Sequence, residues 1–99
     1  TSFYQKMQKI EERFLTLLRS NRLHAFYAAH RILDDIGTSV LYIAARELVS
    51  RARYLYITDT LEKAECANQM ASQIVAVLDS RNQDVSELNA DITKNLQMF

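Results

Sequence analysis

Few side chains in this 99-residue sequence could do chemistry, and their spacing limits what that chemistry could be. His30 lies inside AFYAAHRILDDIG, residues 25 to 37, where an apolar helical run ends at Gly37. Imidazole is the side chain that changes charge nearest neutral pH, so on an exposed helix it can carry a proton or act as a nucleophile. His24 is six residues away, a spacing that does not bring two ligands to one helical face, and no metal is expected. Asp34 and Asp35 adjoin near the end of the run, where the helix dipole disfavours negative charge. Asp34 also stands one turn from His30, within reach of an ion pair or hydrogen bond. The lone Cys66 cannot form an internal disulfide; in its alanine-rich setting it reads as a small buried residue of a reducing, cytoplasmic compartment.

Other catalytic signatures are missing: there is no glycine-rich phosphate loop, no H-E-x-x-H and no G-x-S-x-G. Neither an enzymatic activity nor a cofactor is expected. Arg46, Arg51 and Arg53 form the one local basic cluster, which a solvated helix face explains. A nucleic-acid partner would call for a net basic patch with stacking aromatics, and none is expected here. The longest apolar run, VLYIAA at Val40 to Ala45, is far short of the ~20 residues that span a bilayer. No signal peptide is visible, and the chain begins at Thr1, as a processed protein or a piece of a longer one would.

The elements that position these groups follow from composition and periodicity. With no proline and one glycine, the chain lacks the turn residues that sandwiches, barrels and disulfide scaffolds need in quantity, so an all-α fold is expected. A content of 48% hydrophobic and 24% charged residues is that of a single folded domain over residues 1–99. Phe3, Met7, Ile10, Phe14 and Leu17 make one helical stripe, predicting a helix over about 2–19. Ser20 and Asn21 offer a cap for a second helix over 21–36, with Leu23, Phe26, Ala29, Leu33 and Ile36 inward and Gly37 stopping it in the left-handed conformation.

A third helix, over 39–57 and capped by Thr38 or Ser39, carries two stripes side by side. Leu41, Ala44, Leu48 and Leu55 form one; Tyr42, Ala45, Val49, Ala52 and Tyr56 form the other. A face that wide meets more than one neighbour. Asp59 and Glu62 fit a capping box for a fourth helix over 60–80, with Ala64, Ala67, Ala71, Ile74 and Leu78 inward; without that break, the third and fourth helices would be one rod. After SRNQ, Asp84 and Glu87 fit another box, and Val85, Leu88, Ile92, Leu96 and Phe99 stripe a fifth helix over 85–98. That helix could cap the bundle, bind a partner or exchange between two protomers. Residues 1–57 hold nine Lys and Arg against five Asp and Glu, and residues 58–99 hold three against seven, so the halves are expected to attract.

The run NRLHAFYAAHRI at Asn21 to Ile32, followed by Gly37, Leu41 and ARELVSRAR at Ala45 to Arg53, resembles the centre of histidine-containing phosphotransfer (HPt) domains. The resemblance covers about residues 5–81 and implies a four-helix bundle, His30 as phosphoacceptor, Ala29 as its small buried neighbour and a receiver domain as partner. Where that family carries a lysine and then a glycine, this chain has Leu33 and Asp34, and a carboxylate one turn from the acceptor repels an incoming phosphoryl group. The resemblance therefore implies a degenerate relative. His30 keeps three readings: a structural residue at the edge of the core stripe, a contact in a protein interface, or a phosphoacceptor.

The expected fold is an all-α, up-and-down four-helix bundle with a short C-terminal fifth helix. The expected function is non-catalytic: a protein-interaction or regulatory module that meets another protein or a second copy of itself. Its partner face is expected on the third helix, at Tyr42, Arg46, Val49, Arg53 and Tyr56, and on the fifth, at Ile92, Leu96 and Phe99. A phosphotransfer module acting through His30 is the competing class, and a helical chaperone or secretion adaptor is a third.

Overall fold

The structure, a computed structural model, describes residues 2–20 and 23–99. It is all-α: α1 (Phe3–Arg19), α2 (Leu23–Arg31), a 3₁₀ turn (Leu33–Asp35), α3 (Thr38–Thr58), α4 (Leu61–Ser80) and α5 (Ser86–Met98). The side chains of Phe3, Leu23, His24 and Phe26, and the cap expected at Asn21, lie outside the described residues.

An antiparallel pair, α3 and α4, makes the centre of the bundle. Its seam is apolar and rich in small residues: Leu41, Ala44, Ala45, Leu48 and Ala52 on α3 meet Ala64, Ala67, Ala71, Ile74 and Leu78 on α4, all buried. Alanines at these turns let the two backbones approach closely along the whole length. Helix α1 lies against α2 and α3, α2 lies against α4, and α5 covers both central helices. Among the described residues, α1 sinks Phe14 and Leu18 into the core, and α2 sinks Ala25 and Ala29.

Helix boundaries depart from the sequence expectation where backbone groups find partners the sequence does not announce. Helix α2 stops at Arg31 rather than Ile36, because Ile32 leaves the helical region (φ −108°, ψ 6°) and the chain tightens into a 3₁₀ turn. That tightening buries Leu33 and Ile36 together while Asp34 and Asp35 stay in water. The carbonyls so exposed are taken by Arg81, which donates to Ile36 O (2.8 Å), Asp34 O (3.3 Å) and Thr38 Oγ1 (3.2 Å). Gly37 is extended, not left-handed, and serves as the N-cap of α3; neither Thr38 nor Ser39 caps it.

Among the described residues, the left-handed one is Asn82 (φ 61°). Its N–H donates to Asp79 O (2.9 Å) and that of Gln83 to Leu78 O (3.1 Å), the paired bonds that end a helix with an αL residue. Helices α3 and α4 are separate, broken at Asp59 (φ −138°, ψ −130°). The cap of α4 is Thr60, whose Oγ1 accepts from Lys63 N (3.2 Å); Asp59 pairs instead with Lys63 Nζ (3.2 Å). The N-cap of α5 is Val85, which makes no side-chain cap, in place of the expected Asp84–Glu87 box; Asp84 stands one residue before it, its Oδ1 accepting from the N–H (3.0 Å) and Oγ (2.7 Å) of Ser86. At 13 residues α5 is longer than the 9-residue α2.

Charge joins the elements less simply than the sequence balance suggests. Glu47 on α3 receives Arg19 of α1 through Nε (2.9 Å) and Nη2 (3.4 Å), and Arg51 lies 3.5 Å away. Arg51 also donates to Leu18 O at the end of α1 (3.1 Å). This cluster lies wholly inside the basic half of the chain. Among the described residues, the Arg53–Asp91 pair (3.7 Å) is the ion pair that joins the two halves.

Candidate functional site

The geometry of α5 decides which apolar surface remains for a partner. Leu88 and Ile92 point inward as the stripe predicts, but the next inward residue is Asn95, fully buried, while Leu96 is 60% exposed. Asn95 is drawn in by polar partners on both central helices. Its amide nitrogen donates to Val49 O (3.1 Å) and Asn68 Oδ1 (3.0 Å), and its oxygen accepts from Arg53 Nε (2.6 Å). Asn68, also buried, donates to Ile92 O (3.4 Å). A buried amide that finds all these partners in one position of α5 fixes the register of that helix, because sliding or rotating it would strand them.

Two further contacts pin the ends of α5. Tyr42 Oη donates to Asp84 O (2.6 Å) where the helix begins, and Tyr56 stacks on Phe99 where it finishes, with ring centroids 5.2 Å apart. The wide apolar face of α3 therefore has its second neighbour inside the same chain. Val49 and Ile92, expected in a partner face, are buried where α5 packs on the central helices, and Ile92 reaches a surface only at the floor of a groove between α4 and α5. Tyr42 and Arg53 are partly covered and hydrogen-bonded there. Arg46 is exposed beside a mixed-charge groove of about 290 Å³ between α3 and α5, which also holds Arg53, Glu87 and Asp91.

Most of the large apolar side chains that stay in water belong to one end of the bundle; Tyr27 and Ile43 are exposed elsewhere. Since α5 runs parallel to α3, its last turn meets the last turn of α3 through Tyr56 and Phe99 and comes beside Glu65, near the start of α4. Six large apolar side chains are exposed on these three helix ends: Tyr54 (65%), Tyr56 (39%), Ile57 (77%), Leu61 (45%), Leu96 (60%) and Met98 (39%). The sequence stripes name Tyr56 and Leu96 but pass over Tyr54, Ile57, Leu61 and Met98. The available signal is that these residues are apolar and yet belong to neither inward stripe. Running away from this end between α4 and α5 is a groove of about 430 Å³, floored by Ile92, Leu96 and Phe99 and walled by Glu65, Gln69 and Ser72.

The residues that could do chemistry are not brought together. His30 is exposed on the last turn of α2, next to the buried Ala29. Leu33 is committed to the core, and Asp34 is exposed with its carbonyl held by Arg81. Cys66 is half-buried on α4; burial first, and then the charge of Glu62, push its thiol pKa up, which disfavours the reactive thiolate. Among the described residues no three His, Cys, Asp or Glu side chains form a group that could hold a metal ion, and no helix is long and apolar enough to cross a membrane. No protein-family model, no curated protein and no solved structure matches this chain.

Proposed function

We propose that this chain is a non-catalytic protein-interaction module whose partner face is the apolar end formed by the last turns of α3 and α5 and the first turn of α4. One observation carries the reading: of the eight large apolar side chains exposed among the described residues, six belong to these helix ends, while the aliphatic stripes of the same helices are buried. Contiguous exposed apolar surface on a folded domain marks a contact with another molecule, whereas scattered single residues do not. The end is built from helix termini locked by the Asn95 network and the Tyr56–Phe99 stack, so the patch is a fixed shape and costs little ordering to bind.

The test is photo-crosslinking from position 57 in extract of the cells that make the protein, with competition by unlabelled chain. A discrete adduct competed by wild type but not by Ile57→Asp supports the reading. An adduct that both compete equally, or none, contradicts it.

Phosphotransfer remains a second reading on one observation, the exposure of His30. A buried leucine in place of a cation, and a carboxylate one turn on, remove the electrostatic help that a phosphoryl group needs. Incubation with acetyl phosphate followed by intact mass is expected to show no added phosphoryl group. A gain abolished by His30→Gln would put phosphotransfer first.

A further inference from the structure

Resting on the interaction reading, we infer that the groove between α4 and α5 seats a basic amphipathic helix from a partner protein. A groove between two packed helices is where a third helix lays a row of side chains, and this bundle uses its own grooves that way. The central α3–α4 pair takes α1 and α2 on some faces and α5 on another. The α4–α5 pair seats no element of the described chain in its groove.

Its volume, about 430 Å³, holds a few aliphatic side chains but not a helix ~10 Å across, so the occupant inserts an apolar row and keeps its backbone outside. Leu96, on the floor of the groove, is itself one of the exposed apolar residues of the end. The amide of Gln69 and the hydroxyl of Ser72 stand on the wall, able to bond polar groups along the flank of a docked helix.

Charge selects which helix. Glu65 lines the groove, Glu62 stands exposed one turn earlier on α4, and no Lys or Arg lines it. The cations on the same helices are turned away: Lys63 is paired with Asp59, and Lys94, two residues from Ile92, falls on the far side of α5. A partner helix with Lys or Arg flanking its apolar row gains from both carboxylates, and one with Glu or Asp there is repelled. The α3–α5 groove, by contrast, is lined by cations and anions together and selects neither sign.

The test uses the whole chain and labelled synthetic peptides of about four helical turns, read by fluorescence anisotropy. One peptide carries leucines at i, i+3, i+4 and i+7 with lysines on the flanks; a second has glutamates for the lysines; a third is a scramble of the first. The first is expected to bind at least about tenfold more tightly than the other two. Leu96→Asp should weaken it about tenfold, and the double change Glu62→Lys, Glu65→Lys should reverse the preference between the lysine and glutamate peptides. All three positions are exposed, and circular dichroism checks that each variant is folded. Equal binding of the scramble, or no response to Leu96→Asp, overturns the inference. Dimerisation by sedimentation that Leu96→Asp abolishes, without peptide binding, overturns it in favour of a second copy. If the peptides fail while crosslinking at position 57 is still competed, the groove inference falls and the interaction reading stands.

Discussion

Helix α3 has two seams of opposite character. Toward α4 it presents Leu41, Ala44, Leu48 and Ala52 to Ala64, Ala71, Ile74 and Leu78, a dry seam in which close packing is the whole interaction. Toward α5 it presents Tyr42, Val49, Arg53 and Tyr56, and the seam is organised by Asn95, Asn68 and the Arg53–Asp91 pair. Apolar burial says that two helices pack but tolerates small shifts in how; a buried amide that needs particular partners says where. The difference explains why α5 turns Leu96 outward. The helix is placed by its asparagine, and the apolar side chains beyond that point are left at the end of the bundle.

The strongest way to break this contrast is a cavity in the dry seam. Ile74→Ala should cost about 2–5 kcal/mol, with the whole domain losing stability together in urea denaturation. Asn95→Ala should cost less, about 1–3 kcal/mol, because it strands the Arg53 guanidinium and the Asn68 amide rather than opening a core cavity. Its signature is local: hydrogen exchange should accelerate in α5 while α3 and α4 remain protected. Uniform acceleration across all three helices would mean that the two seams are one cooperative unit.

Lowering the pH should act on the ion-paired and capped sites. The Arg19 hydrogen bond and charge hold the Glu47 carboxyl below its ordinary value, and the Ser86 N–H and hydroxyl do the same for Asp84. A carboxylate whose pKa is depressed by folding contributes stability above its unfolded pKa and loses it as the pH falls through the folded value. Stability should therefore be flat near neutrality and decline through the acid range. Glu47→Gln should flatten part of that decline, as urea midpoints measured at several pH values would show. The smallest expected stability effect is at the exposed end: Ile57→Asp should stay within about 0.5 kcal/mol of wild type, since nothing is buried there.

The dry seam was legible in the sequence because burial on both helices repeats with the helical period. Asn95 was not: an asparagine between Ile92 and Phe99 reads as part of a solvated face until Arg53 and Asn68, far away along the chain, are known to lie opposite it. The end of α2 was hidden for a related reason, since the 3₁₀ turn is sustained by Arg81 from the far end of α4. Leu96 and Tyr56 were found as apolar positions on amphipathic helices. The patch they belong to was not, because it is assembled from three helix ends that no local window contains.

The most direct measurement compares crosslinking from position 57 with crosslinking from Ile43. Both are exposed isoleucines of α3, about 20 Å apart along the helix. A competed adduct from position 57 and none from position 43 is the predicted result. An adduct of equal yield from both, or from position 43 alone, would contradict the assignment of the apolar end as the partner face.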